Sequence, residues 1–158
     1  NDVQASYIAA YRDLRLRGEV RDPLYPGAWK ALEDIERAGW LLGVATGKSH
    51  RGLMATLERH DMTSRFVTVQ TADRAAGKPH PEMLRNAMAE TGAAPPATVM
   101  IGDTTFDMEM ARNAGTRAIG VAWGYHAVEE LTAAGAERIV SGFGELPVVL
   151  REMTADAP

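Results

Sequence analysis

At 158 residues, with 46% apolar residues and a formal net charge of −4, the chain has the size of one domain with a sizeable core. It offers no basic cluster for nucleic acid and no apolar run long enough for a membrane span, and without cysteine it has neither a disulfide framework nor thiolate chemistry. A reducing cytoplasm suits that composition; the opening Asn1-Asp2-Val3-Gln4 has no signal-peptide pattern and reads as the middle of something longer.

Taken in chain order, residues 2–17 place Val3, Tyr7, Ile8, Tyr11 and Leu14 at helical spacing, and Asp22-Pro23 and Tyr25-Pro26-Gly27 break that helix. A helix to about Ala38 follows, with Leu32 and Ile35 on one face and Gly39 to end it. Trp40–Ala45 reads as a buried strand, about Ser49 to Arg59 as a helix, and Phe66–Gln70 as the next strand. Pro81 opens a helix through about Thr91, and Thr98–Gly102 is again a strand. A helix from about Thr105 to Ala114 stops at Gly115, and the strand Ala118–Ala122 follows. A helix near 127–134, the short strand Arg138–Val140 and a helix after Phe143 complete the chain. This alternation predicts an α/β fold, a Rossmann-like parallel sheet with helices on both faces.

Three segments carry chemistry. Gly102-Asp103-Thr104-Thr105-Phe106-Asp107 puts two carboxylates at the carboxyl end of a buried strand, the edge where open α/β sheets bind ligands. Mutual repulsion calls for a cation between them, and hard oxygen donors in a phosphate-handling site suggest Mg²⁺. The plainer reading is a strand end and a capped helix, with Asp103 or Asp107 serving the backbone. Thr46-Gly47-Lys48-Ser49 joins a hydroxyl, a glycine amide and a helix start, a good anion binder; taken alone, Thr46 reads first as an N-cap or a strand-end hydroxyl. The same segment resembles a P-loop, but Gly43 to Gly47 leaves three intervening residues where four are needed. Gly77-Lys78-Pro79-His80-Pro81-Glu82 sets a lysine in a proline-stiffened loop. Such a point charge near 4 Å from a phosphoryl group is worth roughly 4 kcal/mol at an effective dielectric of about 20, before desolvation; otherwise it is a solvated surface lysine. His50, His60, His80 and His126 lack metal-ligand spacing and read as surface residues, with His80 close enough to Lys78 to touch a substrate.

In this order and spacing the segments resemble the haloacid dehalogenase-like hydrolase superfamily, nearest to its phosphoglycolate-phosphatase-like branch, from Tyr25-Pro26-Gly27 through Trp123-Gly124-Tyr125. The resemblance implies a Mg²⁺-dependent phosphatase acting on a small phosphorylated metabolite through an aspartyl-phosphate. Thr46 and the Gly47 amide would hold phosphoryl oxygens, and Lys78 would neutralise the phosphoryl group and the nucleophile. Asp103 would bind Mg²⁺ directly, and Asp107 would assist the metal through a water or orient Lys78. Thr104 would be a lesser phosphate or loop contact. The acidic pair favours a phosphatase over the dehalogenase branch.

One part of the family pattern is missing. No Asp-x-Asp motif, the family's nucleophile and acid/base, precedes Thr46. Residues 1–22 then read as the remnant of a helical cap and its return linker, and 23–158 as the hydrolase core without its first strand. That strand lies in the family between those ending at Thr46 and Asp103, and its loss would leave buried backbone groups unpaired at about 1–3 kcal/mol each. The expectation is therefore a portion of a longer chain, inactive alone. A non-catalytic phosphate- and Mg²⁺-binding fragment and, more remotely, a P-loop nucleotide binder stand beside it. Substrate identity and oligomeric state are not legible.

Overall fold

A computed structural model describes residues 7–11 and 27–155. Six strands, β1 (Tyr7–Tyr11), β2 (Trp40–Thr46), β3 (Phe66–Thr71), β4 (Thr98–Gly102), β5 (Arg117–Val121) and β6 (Arg138–Val140), form one sheet in the order β3-β2-β1-β4-β5-β6. Every neighbouring pair is parallel. The helices α1 (Ala28–Arg37), α2 (His50–Arg59), α3 (Glu82–Thr91), α4 (Thr105–Ala114), α5 (Val128–Ala134) and α6 (Leu146–Ala155) make the crossovers and the chain end. From α1 onward each element lies within about two residues of its expected position.

Strand periodicity decides which helix covers which face. In β4, Val99 and Ile101 point into one core and Met100 into the other, because successive side chains alternate across a sheet. The first core takes α1 through Ala28, Ala31, Leu32 and Ile35, α2 through Leu53 and Leu57, and α6 through Leu146, Val149, Leu150 and Met153. The second is built from Met83 and Leu84 of α3, Met108, Met110 and Ala111 of α4, and Leu131 and Ala134 of α5. Each fully buried Leu or Met stabilises the fold by roughly 1.5–3 kcal/mol. With both faces covered, β4 is buried along its whole length, as its unbroken apolar run required.

The helix expected over residues 2–17 is corrected where the chain is described: Tyr7–Tyr11 is a strand. It fills the gap foreseen between β2 and β4, pairing Tyr7–Tyr11 with Trp40–Val44 on one side and Ile8–Tyr11 with Thr98–Ile101 on the other. Helical spacing lost to a tertiary demand, because buried strand edges must find hydrogen-bond partners and Tyr-Ile-Ala-Ala-Tyr can supply them. The strand missing from the expected core is thus replaced within this chain rather than left out. The rest of the expected cap remnant, residues 1–6 and 12–22, lies outside the described residues. No helix among the described residues is long and apolar enough to cross a membrane.

Candidate active site

Parallel strands deliver their carboxyl ends to one edge, and the order reverses on either side of β1, the place where such sheets bind ligands. Thr46 is the last residue of β2, Asp103 directly follows β4, and Lys78 sits in the loop between β3 and α3. The structure therefore brings Thr46, Gly47, Lys78, Asp103 and Asp107 to the same edge.

Asp107 is the most constrained of them. Thr104 caps α4 by accepting a hydrogen bond from the Asp107 amide at 3.2 Å, and Asp107 Oδ2 accepts from the Thr104 amide at 3.1 Å and hydroxyl at 2.9 Å. This is a capping box with aspartate as the third helical residue. The other oxygen, Oδ1, lies 2.7 Å from Lys78 Nζ, with the two side chains 0% and 10% exposed. The structural and functional readings of this acid thus hold together: one oxygen serves the helix and the other faces the lysine. Gly102 makes room, since a β-carbon there would overlap the Asp107 carboxylate.

The loop that carries Lys78 is tied to α4 and to the start of α3. The bond from Lys78 to Pro79 is cis, and the Pro79 carbonyl accepts from Asn113 Nδ2 of α4 at 2.9 Å. Around it, the His80 amide donates to the Gly77 carbonyl at 3.0 Å, His80 Nδ1 accepts from the Glu82 amide at 3.1 Å, and Glu82 Oε1 accepts from the Ala76 amide at 2.9 Å. His80 therefore shapes the lysine loop.

Asp103 is 1% exposed, and its Oδ2 accepts from the Tyr125 amide at 2.9 Å while its carbonyl accepts from the His126 amide at 3.0 Å. A β-carbon on Gly124 would collide with the Asp103 side chain. His126 Nδ1 in turn accepts from the Thr105 amide at 2.9 Å, tying this loop to the start of α4. Sequence reasoning missed this clamp and left His126 among the surface histidines. The signal available was Trp123-Gly124-Tyr125-His126 directly after a strand end.

Thr46 is buried, and its hydroxyl accepts from the Lys48 amide at 3.1 Å. It orders its own loop rather than capping α2, a task Ser49 performs by accepting from the Gly52 amide at 3.1 Å. Asp73, after β3, accepts from the His50 amide at 3.0 Å, and the Ala72 amide donates to the Lys48 carbonyl at 3.1 Å, so the lysine loop and the Thr46 loop are stitched together. The Thr71 side chain foremost holds the Asp73 carboxyl below its ordinary range, against the opposing cost of desolvation and with the His50 amide adding to the lowering. Gly43 lies inside β2, so no glycine-rich loop precedes Gly47 and the P-loop geometry is absent.

A cavity of about 290 Å³ opens here, lined by Gly47, Gly77, Lys78, Met83, Thr104 and Phe106. A roomier one of about 630 Å³, between α1 and α6 near Trp40, contains none of these residues. No cluster of three or more His, Cys, Asp or Glu among the described residues is placed to hold a metal ion. Asp103 and Asp107 are the acids that follow β4 at this edge.

A sequence profile described as Haloacid dehalogenase-like hydrolase matches residues 3–121. The chain belongs to the haloacid dehalogenase-like hydrolase family. Among the relatives of this haloacid dehalogenase-like chain, "Probable phosphatase IndB" of Dickeya dadantii is 43% identical over 141 residues, covering 89% of the chain and 61% of the relative. "Phosphoglycolate phosphatase" of Vibrio parahaemolyticus is 29% identical over 130 residues, 82% of the chain and 57% of the relative. The crystal structure of a haloacid dehalogenase-like protein from Agrobacterium tumefaciens superposes with a TM-score of 0.76 at 28% identity, covering 90% of this chain and 65% of that one. The chain thus spans 57–61% of these two relatives' length.

Proposed function

We propose that this chain carries the phosphate- and metal-binding portion of a Mg²⁺-dependent phosphatase that hydrolyses a small phosphorylated metabolite through an aspartyl-phosphate. The observation that carries the reading is the Lys78–Asp107 pair, 2.7 Å apart and nearly buried at the edge where the strands end. An ammonium fixed by a buried carboxylate and a stiff loop is a preorganised charge, and phosphoryl transfer depends on positioning and charge neutralisation. Lys78 then faces the phosphoryl group and its nucleophile, and the Gly47 amide with Thr46 holds phosphoryl oxygens.

Asp103 suits Mg²⁺ because it is a buried hard-oxygen donor, oriented by the Tyr125 amide, and this ion takes one or two carboxylates and fills its shell with waters and substrate oxygens. When bound, the ion supplies charge neutralisation at the phosphoryl oxygens. Both Asp107 oxygens are engaged by Thr104 and Lys78, which supports an orienting role for this acid over direct ligation.

The same buried pair also fits a second reading: a domain that binds phosphate and Mg²⁺ without turning substrate over. Calorimetric titration of the chain with inorganic phosphate in Mg²⁺ tests what both share. Saturable binding is expected, weakened at least tenfold in Lys78→Ala and in Asp103→Asn; no binding, or binding indifferent to both variants, refutes it. Turnover of p-nitrophenyl phosphate, abolished by Asp103→Asn, selects catalysis, and binding without turnover selects the second reading.

A further inference from the structure

The 290 Å³ cavity has two unlike walls. One is polar, formed by Lys78, Thr104 and Gly47, and the other is apolar, formed by Met83 and Phe106. Phe106 stands in the first turn of α4 directly before Asp107, yet it is 51% exposed while Asp107, Met108 and Met110 pack inward. The helix gains no core packing from that ring comparable with theirs. It leans on the His126 ring, 6.1 Å between centroids at 55°, and His126 in turn meets the Tyr125 ring at 6.0 Å and 48°. Tyr125 is 81% exposed.

Single exposed apolar side chains are ordinary on a protein surface. Three rings in tilted contact, beginning at the wall of a cavity that also holds a nearly buried lysine, form an ordered apolar edge. The edge is anchored, because the amides of Tyr125 and His126 bond to Asp103, and His126 Nδ1 bonds to the Thr105 amide. Its position relative to Asp103 and Lys78 is therefore set by the same hydrogen bonds that set the site. The cavity falls at the small end of ligand-sized pockets, about 300–1,000 Å³, and favours a compact molecule.

We propose that Phe106 is a platform for the leaving group, and that the site selects phosphate monoesters whose alcohol bears a single flat ring. The inference rests on the phosphate-site reading above and deepens it. Lys78 and Thr104 take the phosphate, and the ester's ring lies against Phe106 on the apolar wall. A ring contact of this kind adds to affinity beyond the area it buries.

Titrating the chain in Mg²⁺ with inorganic phosphate, methyl phosphate and phenyl phosphate tests it. Phenyl phosphate is expected to bind about tenfold tighter than methyl phosphate, the scale of one aromatic contact. Phe106→Ala should bring that ratio close to one, Phe106→Leu should bring it down partway, and Phe106→Tyr should keep it. Equal affinities in the unmodified chain overturn the proposal. So does a Phe106→Ala chain that binds all three ligands more weakly by a common factor and keeps the tenfold ratio, since the ring would then only support the site. If inorganic phosphate fails to bind, or binds independently of Lys78, the phosphate-site reading itself has failed and the platform falls with it.

Discussion

Lys78–Asp107 at the carboxyl edge of the sheet and Lys30–Asp34 on α1 pair the same charges in opposite surroundings. The first is nearly buried at 2.7 Å; the second, at 3.1 Å, joins a lysine 75% exposed to an aspartate 32% exposed. Desolvating two ions costs several kcal/mol each, and their attraction rarely returns more than that, so a buried pair is weak evidence of stabilisation. The surface pair needs little desolvation and contributes only a few tenths of a kcal/mol. The molecule keeps the expensive pair at the carboxyl edge of the sheet and the inexpensive one on a solvated helix, a contrast that supports the proposed role of Lys78. Between these extremes, Arg65, 19% exposed, pairs with Glu33 and Glu36 of α1 and lies 4.5 Å over the Trp29 ring.

Removing one partner of the buried pair should have the largest effect. Asp107→Ala strands the Lys78 charge and also breaks the capping box of α4, so a loss of about 3–5 kcal/mol is expected in urea unfolding. Lys78→Met combined with Asp107→Asn should recover part of that loss while phosphate binding stays absent. If Asp107→Ala alone costs under 1 kcal/mol, the pair is not desolvated and the contrast collapses.

Next in size, Gly102→Ala drives a methyl group into the Asp107 carboxylate, an overpacking expected to cost about 1–3 kcal/mol. Thermal melts should show the loss, with phosphate affinity falling alongside it. An unchanged melting curve would mean that the carboxylate can move aside without cost.

Smaller still is the acid dependence tied to Asp73. Its folded carboxyl sits below its ordinary value, because the Thr71 side chain foremost, with the His50 amide that bonds to it, favours the ionised form. Folding therefore gains stability above the unfolded pKa and loses it as pH falls through the lowered folded value. Unmodified chain and Asp73→Ala should differ in melting temperature at pH 7 and converge in strongly acidic buffer. A difference that persists unchanged at the lowest pH would assign the effect to packing instead.

Least of all, Lys30→Ala should change stability by under about 0.5 kcal/mol and by even less in high salt. A larger effect would show the α1 pair to be part of a network, and the contrast with the buried pair would narrow.

Much of this architecture was legible in the chain. Leu32 and Ile35 marked the buried face of α1, Gly115 marked the end of α4, where it takes a φ of +79°, and the all-apolar run before Gly102 required a strand covered on both faces. These are local signals, in which period, cap and turn chemistry act within a few residues. The placement of the candidate residues was legible for a related reason: in a parallel sheet every strand points its carboxyl end to the same edge, so Thr46, Lys78 and Asp103 could be assigned to one place from their positions after strands.

What eluded sequence reasoning was non-local. Val3, Tyr7, Ile8, Tyr11 and Leu14 spell a helix, and Tyr7–Tyr11 is a strand because β2 and β4 flank it with backbone to be paired. Nothing in the spacing of Gly124, Tyr125 and His126 says that their backbone closes on Asp103, since that contact spans more than twenty residues and depends on β4 and β5 being neighbours. Nor could the order of residues tell that Phe106 would line a cavity with Lys78. Helices, turns and the edge on which the chemistry falls follow from short-range periodicity. The filling of the central strand position, the clamp on Asp103 and the burial of Lys78 against Asp107 depend on which strands become neighbours, and that is settled only when the whole sheet closes and every buried polar group must find a partner.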